Sequence, residues 1–162
     1  MKTFNDAAGR TWIISLNLGT AMAVRDKLGI DLLQPEQGEP PLLTRIGTDE
    51  ILLGQVVFAL LEKQFETQNI TEEDVYAAFD GETIIAAQNA FYEEMINFFQ
   101  SRQRPDRAKA VEKQMNLITA ATKAAETTLD GIDVDKAVAG AISGTLQDLS
   151  ALIPDRTPSD NS

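Results

Sequence analysis

Residues 1–33 read MKTFNDAAGRTWIISLNLGTAMAVRDKLGIDLL, and the change of hydrophobic period along them decides the fold. Lys2 to Asn5 suits a short first strand. Asp6-Ala7-Ala8-Gly9 supplies turn chemistry, with Gly9 free to take a positive φ. The next run alternates: Trp12, Ile14, Leu16 and Leu18 point one way, and Thr11, Ser15 and Asn17 the other, with Ile13 as the exception. Period two over this length predicts a half-buried strand. Two strands alone are marginal in water, so their apolar face must rest on helices. The period then lengthens. Ala21, Val24 and Leu28 share one face of a helix predicted over Thr20 to Leu28, and Gly29 stands where a left-handed C-terminal cap belongs. Ile30 folds back on that cap, and Leu32 and Leu33 continue into the core.

Outward from this stretch the chain reads as helical. QPEQGEPP, Gln34 to Pro41, holds three prolines and one glycine and is a surface loop. Thr48 is a candidate N-cap, with Asp49 and Glu50 in the first turn. Ile51, Leu52, Leu53, Val56, Val57, Phe58, Leu60, Leu61 and Phe65 cover more than one stripe, which predicts a central helix. Thr71 opens a loose capping box, with Asp74 in place of the usual Glu or Gln, before a short helix over Asp74 to Phe79. Gly81 breaks it. Ile84, Ala87, Phe91, Met95 and Phe98 then recur at helical spacing in a longer helix closing near Phe99.

SRQRPDR, Ser101 to Arg107, marks a boundary, with Pro105 suited to the first turn of the next helix. Beyond it alanine and threonine rise and aromatics vanish. Val111, Met115, Ile118, Thr122, Ala125 and Leu129 form a thin heptad-like seam. Asp130-Gly131 turns the chain, and Val138, Ile142, Thr145, Leu149 and Leu152 repeat the spacing. The expected fold class is mainly α with an N-terminal β-hairpin (α+β). A helical core domain over 1–101 is followed by an alanine-rich antiparallel helical hairpin over 106–153 and a disordered tail over 154–162.

Across 162 residues the net charge is −11. Such a surface repels the phosphate backbone of nucleic acid and an anionic membrane, so neither is an expected partner. Cysteine and histidine are both absent, which removes disulfides, thiolate and imidazole chemistry, and zinc sites of the usual type. No basic-then-apolar leader opens the chain. Runs such as Val56 to Leu61 fall far short of the roughly 20 residues that span a bilayer. No phosphate loop, nucleophile elbow or dinucleotide fingerprint is present. The expectation is a protein that is not an enzyme and needs no cofactor or metal.

The remaining clusters read as structural. Asp49-Glu50 and Glu72-Glu73-Asp74 sit where helix N-termini favour acids, and Glu93-Glu94 reads as part of a solvated face. DGIDVD, Asp130 to Asp135, lacks the glycine position and the terminal bidentate Glu of a calcium loop. Gly140 and Gly144 suit tight packing of soluble helices rather than a membrane span. Arg102, Arg104 and Arg107 form a solvated basic knot, and Trp12 anchors a core. Four apolar residues of the long helix, Phe91, Met95, Phe98 and Phe99, are the candidate partner-binding surface, together with the small-residue hairpin. The heptad-like seams make homo-oligomers plausible.

One resemblance sharpens this reading. The pattern FxDxxGRxW (Phe4, Asp6, Gly9, Arg10, Trp12), the alternating strand, the short helix and the close Leu28-Gly29-Ile30-Asp31-Leu32-Leu33 resemble the tail assembly chaperones of long-tailed bacteriophages and prophages. The order of elements follows that family over about the first 100 residues, and the residue-level likeness lies in 1–33. The alanine-rich C-terminal hairpin departs from the compact members. The resemblance implies a protein of the host bacterial cytoplasm that binds the aggregation-prone tape measure protein before tail assembly and is absent from the finished particle. In such families a longer frameshifted product recruits tail tube subunits. The competing expectation is a structural virion component, such as a minor tail, neck or tail-terminator protein.

Overall fold

The computed structural model describes residues 1–130. Strands β1 (Lys2–Asn5) and β2 (Thr11–Ile14) pair antiparallel, with Phe4 opposite Trp12. Six helices follow among the described residues: α1 (Leu18–Leu28), α2 (Leu42–Thr48), α3 (Glu50–Gln68), α4 (Glu72–Ala77), α5 (Gly81–Ser101) and α6 (Pro105–Asp130). The fold class is thus mainly α with an N-terminal hairpin. The chain divides into two compact units, Met1–Ala120 and Ala121–Ser162. Of the second, residues 121–130 are helical, as the C-terminal part of α6. The second helix of the expected hairpin, its turn at Asp130–Gly131, the Gly140/Gly144 pair and the tail 154–162 lie outside the described residues.

In the first unit α3 is central and packs against α1, α2, α5 and β2. Its buried residues Leu53, Val56, Val57, Leu60, Leu61 and Phe65 face several neighbours at once, as its broad apolar surface implies. The hairpin lies on this helix through Trp12, whose ring meets Phe65 edge-on at 5.4 Å. Gln64 of α3 also acts as a short substitute strand. Its amide oxygen accepts from the Ile13 amide at 3.0 Å, and its nitrogen donates to the Ile13 carbonyl at 2.7 Å. That satisfies the open edge of β2 without a third strand.

Local chemistry sets the element ends. Gly9 takes φ 77° in the hairpin turn and Gly29 takes φ 67° at the end of α1, the two left-handed positions that the sequence points to. Ile30 beyond that cap is buried. Leu18 departs from expectation. The Asn17 side chain accepts from the Thr20 amide and the Thr20 hydroxyl accepts from the Asn17 amide, so the helix starts at Leu18 and the strand face ends before it. Leu18 is consequently 63% exposed. Thr48 is not the N-cap of the central helix. Residues 42–48 form α2, unanticipated from the sequence, and Asp49 both ends α2 and caps α3 through the Leu52 amide. Thr71 and Asp80 cap α4 and α5.

The first unit also continues past the boundary read at Ser101 to Arg107. Ala108 and Val111 belong to the buried core, with Met115 and Ile118 packed against it. The first three positions of the heptad-like seam are therefore spent inside this unit. The basic knot holds the junction. Arg104 makes a two-pronged contact with Asp106 at 2.9 and 2.7 Å, and Arg102 lies 5.7 Å over the Phe98 ring. Arg107 donates to the Leu33 carbonyl at 2.6 Å, pairs with Glu36 and covers the Phe99 ring at 5.9 Å. The loop 34–41 is further tied by the Leu43 amide to the Pro35 carbonyl and the Leu42 amide to the Gln37 carbonyl.

Candidate functional site

Among the described residues two carboxylates are buried, and both are consumed by the hairpin. Asp6 accepts from the Ala8 and Arg10 amides through Oδ1 at 3.0 and 2.9 Å, and from Trp12 Nε1 through Oδ2 at 2.9 Å. The Arg10 guanidinium stands 3.4 Å from Oδ2. Phe4 packs edge-on against Phe79 at 5.7 Å. Every residue of FxDxxGRxW thus has a task in building this corner. Glu94 corrects the solvated-face reading of Glu93-Glu94. It is 4% exposed and accepts from the Leu16 amide at 2.9 Å and from the Met1 amino group, while Glu93 stays at the surface beside Lys2.

The residues read as a partner-binding surface mostly face inward. Phe91, Met95 and Phe99 are buried in the core, and Phe98 is half-buried under Arg102. Their helical spacing marks the stripe of α5 that the hairpin and α3 cover, so in this conformation they present almost nothing to a partner. Tyr92 beside them is 1% exposed, and its hydroxyl sits near Gln88 without a hydrogen bond of proper geometry. Burial pushes this phenol up to about 12, with Gln88 acting weakly the other way.

Open apolar surface lies elsewhere, between α3, α4 and α5. A groove of about 320 Å³ is lined by Glu50, Ile51, Leu53, Gly54, Gln55, Val57, Phe58, Tyr76, Phe79, Ile84 and Ala87. Phe58 is its hub, with its ring 4.7 Å from Tyr76 and 4.9 Å from Phe79. Ile51 is 75% and Tyr76 49% exposed at its edge. Gly54 leaves its floor low, since a methyl group there would meet nothing closer than Phe58 at 4.0 Å. Two smaller depressions lie beyond it, the first sharing Gln55, Phe58 and Tyr76 with the groove and the second sharing Glu62, Phe65 and Glu72 with the first alone. One adds Glu62, Phe65 and Glu72, and the next adds Glu66 and Ile70. Together they form a trough along α3 from Glu50 to Glu66, about 24 Å at 1.5 Å per residue. Carboxylates edge it at Glu50, Glu62, Glu66 and Glu72, and the one lysine on its lining, Lys27, is already paired with Glu62. The Tyr76 hydroxyl donates to Glu72 at 3.3 Å. Partial burial and then the Glu72 charge raise that phenol above its usual range.

The sequence held one signal for this groove. Ile51 and Phe58 stand off the main stripe of α3 with a mid-helix glycine between them, a combination that core packing alone does not demand. Among the described residues no cluster of three or more acidic, histidine or cysteine side chains could hold a metal, and no helix is long and apolar enough to cross a membrane. Comparison with family models, with curated proteins and with solved structures finds no match to this chain.

Proposed function

We propose that this protein is a tail assembly chaperone that binds the tape measure protein of a long-tailed phage or prophage and keeps it soluble during tail morphogenesis. It acts by binding and not by bond-making. The observation that carries the reading is the apolar groove between α3, α4 and α5, whose edge leaves Ile51 and Tyr76 open to solvent. Such a groove receives an amphipathic helical segment. Tape measure proteins are long, helical and hydrophobic, and exposed segments of that kind aggregate. A net charge of −11 keeps a complex dissolved once the apolar segment is covered. The resemblance in residues 1–33 supports the family, although its motif residues build the hairpin and do not line the groove.

The test is co-expression with the tape measure protein of the same phage or prophage. A chaperone raises the soluble fraction of that protein, co-purifies with it, and is missing from purified particles by mass spectrometry. Unchanged insolubility with no co-purification overturns the proposal. Stoichiometric presence in particles would make it a virion component instead.

A further inference from the structure

We infer that the trough along α3 takes a basic amphipathic helix of another protein, seated with its apolar stripe on Phe58 and its closest approach over Gly54. The inference rests on the chaperone reading for its biological partner, but its chemistry stands on charge complementarity. The floor is aromatic and aliphatic, while the edge carries Glu50, Glu62, Glu66 and Glu72. An apolar helix flanked by acids would be repelled along the whole trough, and one flanked by lysine or arginine would be attracted. The one base on the trough's lining, Lys27, is committed to Glu62, so among the described residues Glu50, Glu66 and Glu72 have no ion pair.

Gly54 supplies the second argument. Glycine inside a helix is unfavourable relative to alanine. Among the described residues no atom forbids a side chain there, because the nearest neighbour of an added Cβ is 4.0 Å away. The fold of this unit therefore does not require glycine at 54. A guest backbone approaching α3 closely does, as small residues permit at other helix contacts. A trough of about 24 Å matches a guest of about four turns.

The test uses the full chain and a synthetic helix of about 18 residues, with leucines at i, i+3, i+4 and i+7 and lysines beside the stripe. Anisotropy should show binding that weakens with salt, and about tenfold weaker binding of the same peptide with glutamates for lysines. Gly54→Gln fills the floor and should abolish binding while the protein stays folded by circular dichroism. Glu50→Lys with Glu72→Lys should weaken binding. Glu39→Lys with Glu112→Lys makes the same charge change off the trough and should leave it intact. Equal loss in both double variants, or full binding by Gly54→Gln, overturns the inference. So does a wild-type dimer in light scattering that Gly54→Gln converts to monomer, which would assign the trough to a second copy. Failure here stays separate from failure of the chaperone reading. A tape measure protein that co-purifies equally with wild type and Gly54→Gln keeps the reading and sinks the trough. Peptide binding without tape measure binding does the reverse.

Discussion

The hairpin corner and the α3 trough use the same kinds of residue in opposite ways. At the corner, Asp6 and Glu94 are enclosed and their oxygens are occupied by amides, an indole and cations. Along the trough, Glu50, Glu66 and Glu72 stand in solvent beside apolar groups that no described residue covers. The corner is finished by its own chain, whereas among the described residues nothing finishes the trough. Distinctive sequence therefore marks the corner, where each atom has one partner and few residues fit. The trough needs only greasy and acidic character, which many residues supply.

Substitutions can break this contrast. Asp6→Ala strips the turn amides and the Trp12 indole of their acceptor inside the core, so a loss of about 3 kcal/mol is expected in urea unfolding. A loss under about 1 kcal/mol would mean that the corner is as forgiving as the trough. Alkali tests the closed side in a second way. The Tyr92 phenol lies at about 12 in the folded protein against 10.0 for a free one. The folded state holds this proton more tightly, so the stabilisation is complete below pH 10 and drains away as pH rises towards 12, by roughly 2–3 kcal/mol. Tyr92→Phe should remove that part of the alkaline loss, read as a smaller fall in the urea midpoint above pH 10. Glu94→Ala orphans the Leu16 amide and should cost about 2 kcal/mol, and Glu94→Gln, which keeps an acceptor, about half of that. The trough should answer with the opposite sign. Gly54→Ala adds helix propensity without a clash and should stabilise the protein by about 0.5–1 kcal/mol. Destabilisation there would show that α3 needs the glycine for itself.

Much of the architecture was legible because short-range physics dictates it. The strand alternation through Ile14, the two positive-φ glycines and the wide apolar surface of α3 each depend on neighbours in sequence. Leu18 misled because a capping box and a strand compete for the same residues, and the cap of Asn17 on Thr20 won. The helix at 42–48 was hidden by its length of two turns and by the prolines before it. Glu94 was unreadable for a different reason. Its partners lie 78 and 93 residues away, and nothing local separates it from the solvated Glu93. Helical spacing places Phe91 and Met95 on one face with Phe98, whereas the buried side of α5 is completed by Phe99 and Phe98 is half-buried. Periodicity tells which residues share a side, not whether that side is covered. The trough is the converse case, assembled from α3, α4 and α5 and visible only once they meet.

The strap made by Arg107 has a consequence for how this protein can be cut. By composition, QPEQGEPP is where a protease would be expected to nick and an engineer to divide the chain. Yet its backbone is laced to Leu42 and Leu43, and Arg107 grips Glu36 from 71 residues further along the chain. Limited digestion should spare this loop in the intact protein and open it in Arg107→Ala. A truncation ending at Ser101 would remove the strap and bare the Phe99 ring, so the shortest fragment that keeps its first unit whole runs to about Ala120.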